Sequence, residues 1–174
     1  MTAQTLFYTG STTKAFTAAV FSSLVDDDEK FPHVQWTTPI SEIIRDDFVL
    51  EDEYLTRHVT FEDALCHRTG MARHDLACGT ENSTLKDTVR SLRYLPLTAP
   101  LHTKFQYSNP MWVTVSYVVE YLTGEWIGDV IRKRIWEPLG MTQTSLKGGS
   151  LHGKSFSRIS LGPILSVLQP CELP

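Results

Sequence analysis

Apolar positions fall at helical spacing along most of the chain. Residues 15 to 25 are small and apolar and run into four consecutive acids, which predicts a buried helix that stops near Val25. Later segments repeat the spacing, and most end at a glycine or a proline. They are residues 40 to 44, 61 to 67, 85 to 95, 111 to 122 and 126 to 136. The body of the chain is therefore predicted to be mostly helical.

Polar residues predict where these helices begin and where the ordered body ends. Thr60 and Asp63 resemble a capping box, and Asn82 or Ser83 is expected to cap the helix that follows them. Residues 46 to 53 and 96 to 106 are predicted loops. After Leu146 the chain becomes rich in Gly, Ser and Pro. We therefore expect one domain over residues 1 to 146 and a poorly ordered tail over residues 147 to 174.

Composition and charge exclude several classes of protein. The 174 residues are 41% hydrophobic, which suits one globular domain, and the net charge of -4 gives no basic excess for nucleic acid. No apolar run approaches the ~20 residues of a membrane helix, and the first ten residues do not resemble a secretory signal. The sequence as written therefore predicts a cytoplasmic location with no membrane partner. The three cysteines are interpreted as thiols.

A Ser-x-x-Lys element at residues 11 to 14 opens the first apolar helix. Positions i and i+3 share a helix face, so the Lys14 amine is expected close to the Ser11 hydroxyl, where it could take the serine proton. A second match, Ser83 with Lys86, lies among polar residues and is better explained by helix capping. Ser11 is favoured because a buried helix follows it. A phosphate-binding loop is rejected because the required Gly-Lys pair is absent.

A Tyr-x-Asn element, Tyr107 and Asn109, lies between a loop and a buried helix. In an extended segment these two side chains point to the same side, so both could face one cleft. Tyrosine can exchange protons with a nearby lysine, and an asparagine amide can bind a substrate amide. The alternative interpretation makes Asn109 a helix cap with Tyr107 packed beside it.

Two further groups of residues have structural explanations that we prefer. Five potential metal ligands lie within thirteen positions, but their spacing fits no common metal motif, and we interpret them as structural thiols and loop histidines. They are Cys66, His67, His74, Asp75 and Cys78. Three tryptophans on apolar helical faces are expected in the core. They are Trp112, Trp126 and Trp136.

Taken together, these elements resemble the serine β-lactamase and penicillin-binding-protein family, especially its class C and fungal β-lactamase-related branch. The handful of matching segments follows the family order. They are residues 5 to 16 around the nucleophile, residues 63 to 71 similar to the Leu-Leu-x-His-x-(Ser/Thr)-Gly turn, Tyr107 to Asn109, and residues 136 to 141. The resemblance implies an α+β fold of the β-lactamase/transpeptidase type, of which this chain holds mostly the helical part.

The resemblance also implies roles for individual residues. Ser11 would attack an amide or ester carbonyl to form an acyl-enzyme, with Lys14 as general base, Tyr107 assisting it, and Asn109 holding the substrate amide. The backbone N–H of Ser11 would be one oxyanion donor. No metal or organic cofactor is implied. The substrate would be a small amide or ester, such as a β-lactam or a D-amino-acid peptide.

Departures from the family pattern limit the activity that we expect. Strands before the nucleophile and a downstream Lys-(Ser/Thr)-Gly or His-x-Gly strand are missing, so the chain resembles a family member truncated at both ends and lacking most of the central antiparallel sheet. Because loss of one oxyanion donor costs ~10²–10³ in rate, we expect a weak or inactive hydrolase. Two alternatives stay open: a helical interaction module that self-associates through exposed apolar faces, and a truncated gene product.

Overall fold

The computed structural model describes residues 6–75, 83–146 and 167–170, with the backbone alone for residues 6–8 and 167–170. Helices dominate it, as the apolar spacing predicts. They are α1 (Thr13–Val25), α2 (Ile40–Ile44), α3 (Glu53–His58), α4 (Phe61–Leu65), α5 (Leu85–Ser91), α6 (Asn109–Thr123) and α7 (Ile127–Ile131). Short 3-10 turns precede α1 (Gly10–Thr12) and follow α5 (Leu92–Tyr94), and a π-helical turn (Arg132–Trp136) continues α7.

Helix ends follow local chemistry more closely than apolar periodicity. The Thr60 hydroxyl accepts from the Asp63 N–H while the Asp63 carboxylate accepts from the Thr60 N–H, so the predicted capping box is confirmed. The predicted cap of α5, Asn82 or Ser83, is wrong by two residues or one, because Thr84, with Asp87, forms the same reciprocal box there. Gly124 ends α6 in the left-handed conformation at φ 69°, which a glycine adopts at little cost.

Helix α3 begins at Glu53, the last residue of the acidic stretch that the sequence predicts to be a loop. Its start is fixed by Asp52, whose carboxylate accepts from the Leu55 N–H. The helix has six residues, of which only Thr56 is buried. Its sequence therefore shows no apolar periodicity from which a helix could be predicted. Thr56 nevertheless ties the helix to the preceding loop, because its hydroxyl accepts from the Leu50 N–H at 2.9 Å.

One hydrophobic core lies between α1, α2, α4, α6 and α7. Phe21 of α1 is fully buried and contacts the ring of Phe61 at 4.5 Å between centroids and that of Trp36 at 5.3 Å. Such aromatic pairs add to the free energy gained by burying their apolar area. Helix α6 packs against α1, α4, α5 and α7, and therefore forms the centre of the helical body. Within the described residues, no helix is long and apolar enough to cross a membrane.

The sheet has three short antiparallel strands in the order β1–β3–β2. Strand β1 (Leu6–Tyr8) pairs with β3 (Val167–Pro170), which also pairs with β2 (Ser145–Leu146). Composition predicts poor order throughout residues 147 to 174, whereas these four residues form the central strand, with a hydrogen-bonding partner on each side. The rest of that segment lies outside the described residues, so the proposed domain boundary after Leu146 stays a prediction.

Candidate active site

The start of α1 presents Ser11 and Lys14 to the same side. Gly10 has a φ of 55°, a left-handed conformation that turns the chain from β1 into the 3-10 turn holding Ser11. The Thr13 hydroxyl donates to the Gly10 carbonyl at 2.8 Å and secures this turn. Ser11 is exposed, while Lys14, one turn later, is half-buried. The turn therefore places a serine hydroxyl at the surface above a lysine amine.

The start of α6 presents Tyr107 and Asn109 to that pair. Ser108 is the N-cap and has an extended backbone, at φ -132° and ψ 110°, so the side chains on either side of it point the same way. Pro110 fills the first turn of the helix, where a missing N–H is tolerated. Asn109 is the first helical residue and not the cap, and its side chain faces Lys14.

The four predicted site residues lie in one hydrogen-bonded cluster. Ser11 Oγ is 2.6 Å from Tyr107 Oη, and Lys14 Nζ donates to Ser11 Oγ at 3.1 Å and to Asn109 Oδ1 at 2.7 Å. Lys14 Nζ also lies 4.9 Å from the centroid of the Tyr107 ring. Residues 96 positions apart in the chain are thus within hydrogen-bonding distance, as the shared cleft predicts. Their catalytic roles remain predictions.

Electrostatics around the Tyr107 hydroxyl favour its ionised form. Burial opposes ionisation, but hydrogen bonding to Lys14 and Ser11 and the positive charges of Lys14 and Arg73 outweigh it, so the pKa of Tyr107 is lowered from its ordinary value. The Arg73 guanidinium lies 5.4 Å from the centroid of the tyrosine ring. A lowered pKa makes the phenolate form of Tyr107 more accessible, and a phenolate can accept the proton of a neighbouring serine hydroxyl.

Sequence reasoning missed two charged residues that contact this cluster. The Asn109 side-chain amide donates from Nδ2 to Asp75 Oδ1 at 2.8 Å, and the other Asp75 oxygen accepts from Arg73 Nε at 2.5 Å. From the sequence, Asp75 is predicted only as a potential metal ligand, and no role is predicted for Arg73. They lie more than 30 residues before Tyr107 along the chain, so no local spacing could connect them with the site.

His67 packs against Tyr107 and contacts the start of α6. Its ring lies tilted against the Tyr107 ring at 4.5 Å between centroids, its Nδ1 lies 3.0 Å from the Ser108 backbone N, and its Nε2 lies 3.2 Å from Trp112 Nε1. Burial first, and then the positive charge of Lys14, lowers the pKa of His67 and favours the neutral ring. A neutral imidazole has one unprotonated nitrogen, so it accepts from only one of these two donors, and its tautomer decides which.

The metal hypothesis gains no support from the part of the chain that is described. Both nitrogens of His67 face protein donors, and Nε2 of His74 lies 3.1 Å from the Pro96 carbonyl. Cys66 is exposed, and Cys78 lies outside the described residues. Within residues 6–75, 83–146 and 167–170, no three His, Cys, Asp or Glu side chains are grouped as a metal site requires.

Two other sequence interpretations change. The second Ser-x-x-Lys does not repeat the site, because Thr84 takes the capping role assigned to Ser83 and Lys86 Nζ lies 3.5 Å from Asp47 Oδ2. Among the tryptophans, only Trp136 is fully in the core, at 3% exposure. Trp126 is 37% exposed at the start of α7, and Trp112 lines a narrow cleft behind Lys14.

Comparison with known proteins identifies the family. A profile of the Beta-lactamase family matches residues 1–152, so the chain belongs to the beta-lactamase family. It is 53% identical over 164 residues to an unguisins hydrolase of Aspergillus campestris, covering 91% of this chain and 31% of that protein. It is also 28% identical over 145 residues to a penicillin-binding protein 4 of Amycolatopsis lactamdurans, covering 83% of this chain and 37% of that protein.

The fold matches solved structures of the same type. The D-amino acid amidase of Ochrobactrum anthropi in complex with D-phenylalanine superposes with a TM-score of 0.76 at 21% identity, covering 98% of this chain and 59% of the amidase. The predicted family and the β-lactamase/transpeptidase fold class are therefore confirmed. The chain spans about a third of the length of the curated relatives that it matches.

Proposed function

We propose that Ser11 is the nucleophile of a serine hydrolase that forms an acyl-enzyme with an amide or ester substrate. The observation that supports this most directly is the position of Ser11 Oγ, 2.6 Å from Tyr107 Oη and 3.1 Å from Lys14 Nζ. A serine hydroxyl is a weak nucleophile unless a base takes its proton, and here two groups are within reach of that proton.

The proposed reaction proceeds by acyl transfer. Ser11 Oγ bonds to the carbonyl carbon while its proton passes to the pair formed by Lys14, the general base, and Tyr107, which assists it. The carbonyl electron pair moves onto oxygen, where the Ser11 backbone N–H stabilises the charge. The carbonyl then re-forms as the bond from its carbon to the leaving nitrogen or oxygen breaks, and that atom takes the proton. The product is a free amine or alcohol, or an amine that stays attached to the acyl group when the substrate is a β-lactam. Water hydrolyses the remaining ester on Ser11 by the same route.

Asn109 is proposed to bind the amide of the substrate. Its Oδ1 accepts from Lys14 and one Nδ2–H is donated to Asp75, so the second Nδ2–H can donate to a substrate carbonyl. This interaction would orient the scissile bond toward Ser11, and orientation is a major part of enzymatic rate enhancement.

The substrate is proposed to be a β-lactam, a D-amino-acid peptide or a small ester, and the reaction requires no metal or organic cofactor. Unguisins are among the first compounds to test, because the relative at 53% identity is named for their hydrolysis.

Covalent labelling tests the proposal. The intact mass is measured after exposure to a fluorophosphonate, with Ser11→Ala as the test variant and Ser83→Ala, from the second Ser-x-x-Lys, as the matched control. We expect one adduct on the parent chain and on Ser83→Ala, and none on Ser11→Ala. An adduct that persists in Ser11→Ala would refute the assignment. A folded parent chain that takes no label would favour the helical interaction module.

The predictions about partners and location stay predictions. Self-association through exposed apolar faces would be measured by sedimentation. Large apolar side chains are exposed at separate places, at Tyr54, Tyr94, Phe105, Tyr121 and Leu139. A cytoplasmic location, expected from the sequence as written, would be measured by cell fractionation.

A further inference from the structure

The Asn109 carboxamide is held from two sides. Its oxygen accepts from Lys14 Nζ at 2.7 Å, and its nitrogen donates to Asp75 Oδ1 at 2.8 Å. A single hydrogen bond leaves a carboxamide free to tilt about that bond, whereas bonds at both ends fix the plane of the group. The second hydrogen on Nδ2 then points in one defined direction.

Asp75 is itself fixed independently of Asn109. Its other oxygen accepts from Arg73 Nε at 2.5 Å, and the Arg73 guanidinium lies 5.4 Å from the Tyr107 ring centroid. The preceding residue, His74, has a φ of 41° and its ring nitrogen lies 3.1 Å from the Pro96 carbonyl. A non-glycine residue keeps a positive φ only where the surrounding contacts stabilise it, so the backbone at His74 is held in a fixed conformation.

Residues 70 and 71, just before Arg73, are hydrogen-bonded to the loop that leads to Tyr107. Met71 and Leu97 form an antiparallel bridge, and the Thr98 N–H donates to the Gly70 carbonyl at 3.0 Å. A Cβ on Gly70 would overlap the carbonyl of Ala99, so only glycine permits this close approach. The backbone that leads to Asp75 is therefore tied to the loop before Tyr107, and the Asp75 carboxylate itself contacts Arg73.

We propose that Asp75 is a positioning residue that fixes the orientation of the Asn109 carboxamide, so that Oδ1 stays on Lys14 and one Nδ2–H stays directed at the substrate. The inference rests on the proposed function for its catalytic consequence, while the orientation of Asn109 can be measured without any substrate. Arg73 takes part by neutralising Asp75 and holding its second oxygen.

Nuclear magnetic resonance tests the orientation directly. In the parent chain we expect separate signals for the two Nδ2 protons of Asn109, with the proton bonded to Asp75 shifted downfield and slow to exchange with water. Asp75→Ala removes the acceptor, so the two signals should converge and exchange quickly. Asp75→Asn keeps a carbonyl oxygen at this position and should restore part of the separation. Unchanged Asn109 signals in Asp75→Ala would overturn the proposal.

Kinetics test the consequence for substrate. We expect Asp75→Ala to raise KM for an amide-bearing acylating substrate about tenfold, the effect of one lost hydrogen bond, while the rate of fluorophosphonate labelling, which uses no substrate amide, changes by less than about threefold. Asp75→Asn should recover most of the KM. Asp26→Ala, which removes an exposed carboxylate at the far end of α1, is the matched control for charge and should match the parent chain.

The outcomes separate this proposal from the proposed function. Equal losses of labelling and of amide acylation in Asp75→Ala would indicate a general structural role and would overturn the positioning assignment. A parent chain that takes no label would refute the function of Ser11, and the Asn109 signals would then decide the positioning assignment alone.

Discussion

Two tyrosines near α6 occupy hydrogen-bonded clusters of opposite character. Tyr107, two residues before the helix, shares its hydroxyl with Ser11 and lies beside Lys14 and Arg73. Tyr117, in the third turn, donates its hydroxyl proton to Asp47 Oδ2 at 2.6 Å in a buried environment. The first cluster surrounds its tyrosine with cations, and the second gives its tyrosine a carboxylate.

The opposite charges shift the two phenols in opposite directions. For Tyr107, hydrogen bonding and positive charge overcome the effect of burial and lower the pKa. For Tyr117, burial first and then the hydrogen bond to Asp47 raise the pKa far above its ordinary value. Tyr107 is thus prepared to exchange a proton, whereas Tyr117 keeps its proton. The same side chain is proposed to take part in catalysis in one cluster and holds helices together in the other.

The second cluster joins three parts of the helical body. Asp47 follows α2, accepts from Arg90 Nε of α5 at 2.6 Å, and lies 3.5 Å from Lys86 Nζ. Burial opposes the charge on Asp47, but the hydrogen bonds from Tyr117 and Arg90 and the nearby cations lower the pKa of its carboxyl overall. Breaking this cluster should reduce stability without changing the chemistry at Ser11, and breaking the first should do the reverse.

The largest expected effect is that of removing Lys14, which contacts the proposed nucleophile Ser11. Lys14→Ala should slow labelling of Ser11 by about a thousandfold, because a general base contributes ~10²–10⁴ to rate. Lys86→Ala, in the second Ser-x-x-Lys, is the matched control and should label at the parent rate. Labelling rates are measured by intact mass against time. Equal effects of the two substitutions would contradict the assignment of Lys14.

Removing the Tyr107 hydroxyl should have the next largest effect. Tyr107→Phe is expected to slow labelling about a hundredfold and to remove a limb of its pH profile. The sign follows from the lowered pKa of Tyr107: the Lys14–Tyr107 pair can take up the Ser11 proton only when Tyr107 has lost its own, so labelling should rise with pH and level off below the pH at which an ordinary tyrosine ionises.

Tyr117→Phe is the control for the Tyr107 substitution. It removes a hydroxyl of the same kind from the other cluster and should leave both the labelling rate and its pH profile unchanged. A parent profile that is flat over the same range would argue against Tyr107 as a proton acceptor.

Asp47→Ala should have a smaller effect, and on stability alone. It leaves the buried Tyr117 hydroxyl without its acceptor, and we expect a loss of about 2 kcal/mol in the free energy of unfolding by urea. Arg90 adds little to this cost because its side chain is 51% exposed and water can solvate it. Asp46→Ala, one residue earlier and on the exposed surface, is the control. A large drop in the labelling rate of folded Asp47→Ala would contradict the prediction that this cluster affects stability alone.

The smallest effect should come from pH acting on the second cluster. The lowered pKa of Asp47 means that its contribution to stability is present above the unfolded value and is lost as pH falls through the folded value. The raised pKa of Tyr117 means that its contribution is present below its unfolded value and is lost as pH rises through the folded value. Tyr117→Phe should flatten the alkaline side of the stability profile, and an unchanged profile would count against this bond.

Sequence reasoning succeeded where the signal was local or matched a family motif. The capping box of Thr60 and Asp63 spans four residues, and its reciprocal bonds follow from those residues alone. Ser11 and Lys14 share one turn, and Tyr107 and Asn109 flank one extended residue, so each pair could be placed on a common side. The resemblance then brought the two pairs together, and the structure has them in contact.

Sequence reasoning failed where the determining contact joins residues that are far apart in the chain. Nothing near Asp75 signals a bond to Asn109, 34 residues later. Strand β3 was missed because its two neighbours come from residues 6–8 and 145–146, and a four-residue strand among glycines and prolines has no period of its own. Such contacts depend on how the helices pack, which no local pattern encodes.

The pairing of β1 with β3 has a consequence for the order in which the molecule forms. Leu6 lies opposite Pro170, so this ladder closes almost the whole chain into one loop. Contacts between distant positions form late, and synthesis delivers the first strand long before the last. The helical body, whose contacts are more local, can assemble before β1 pairs with β3. Because Gly10 and Ser11 come only two and three residues after β1, we expect the proposed nucleophile to be among the last parts to reach its final position.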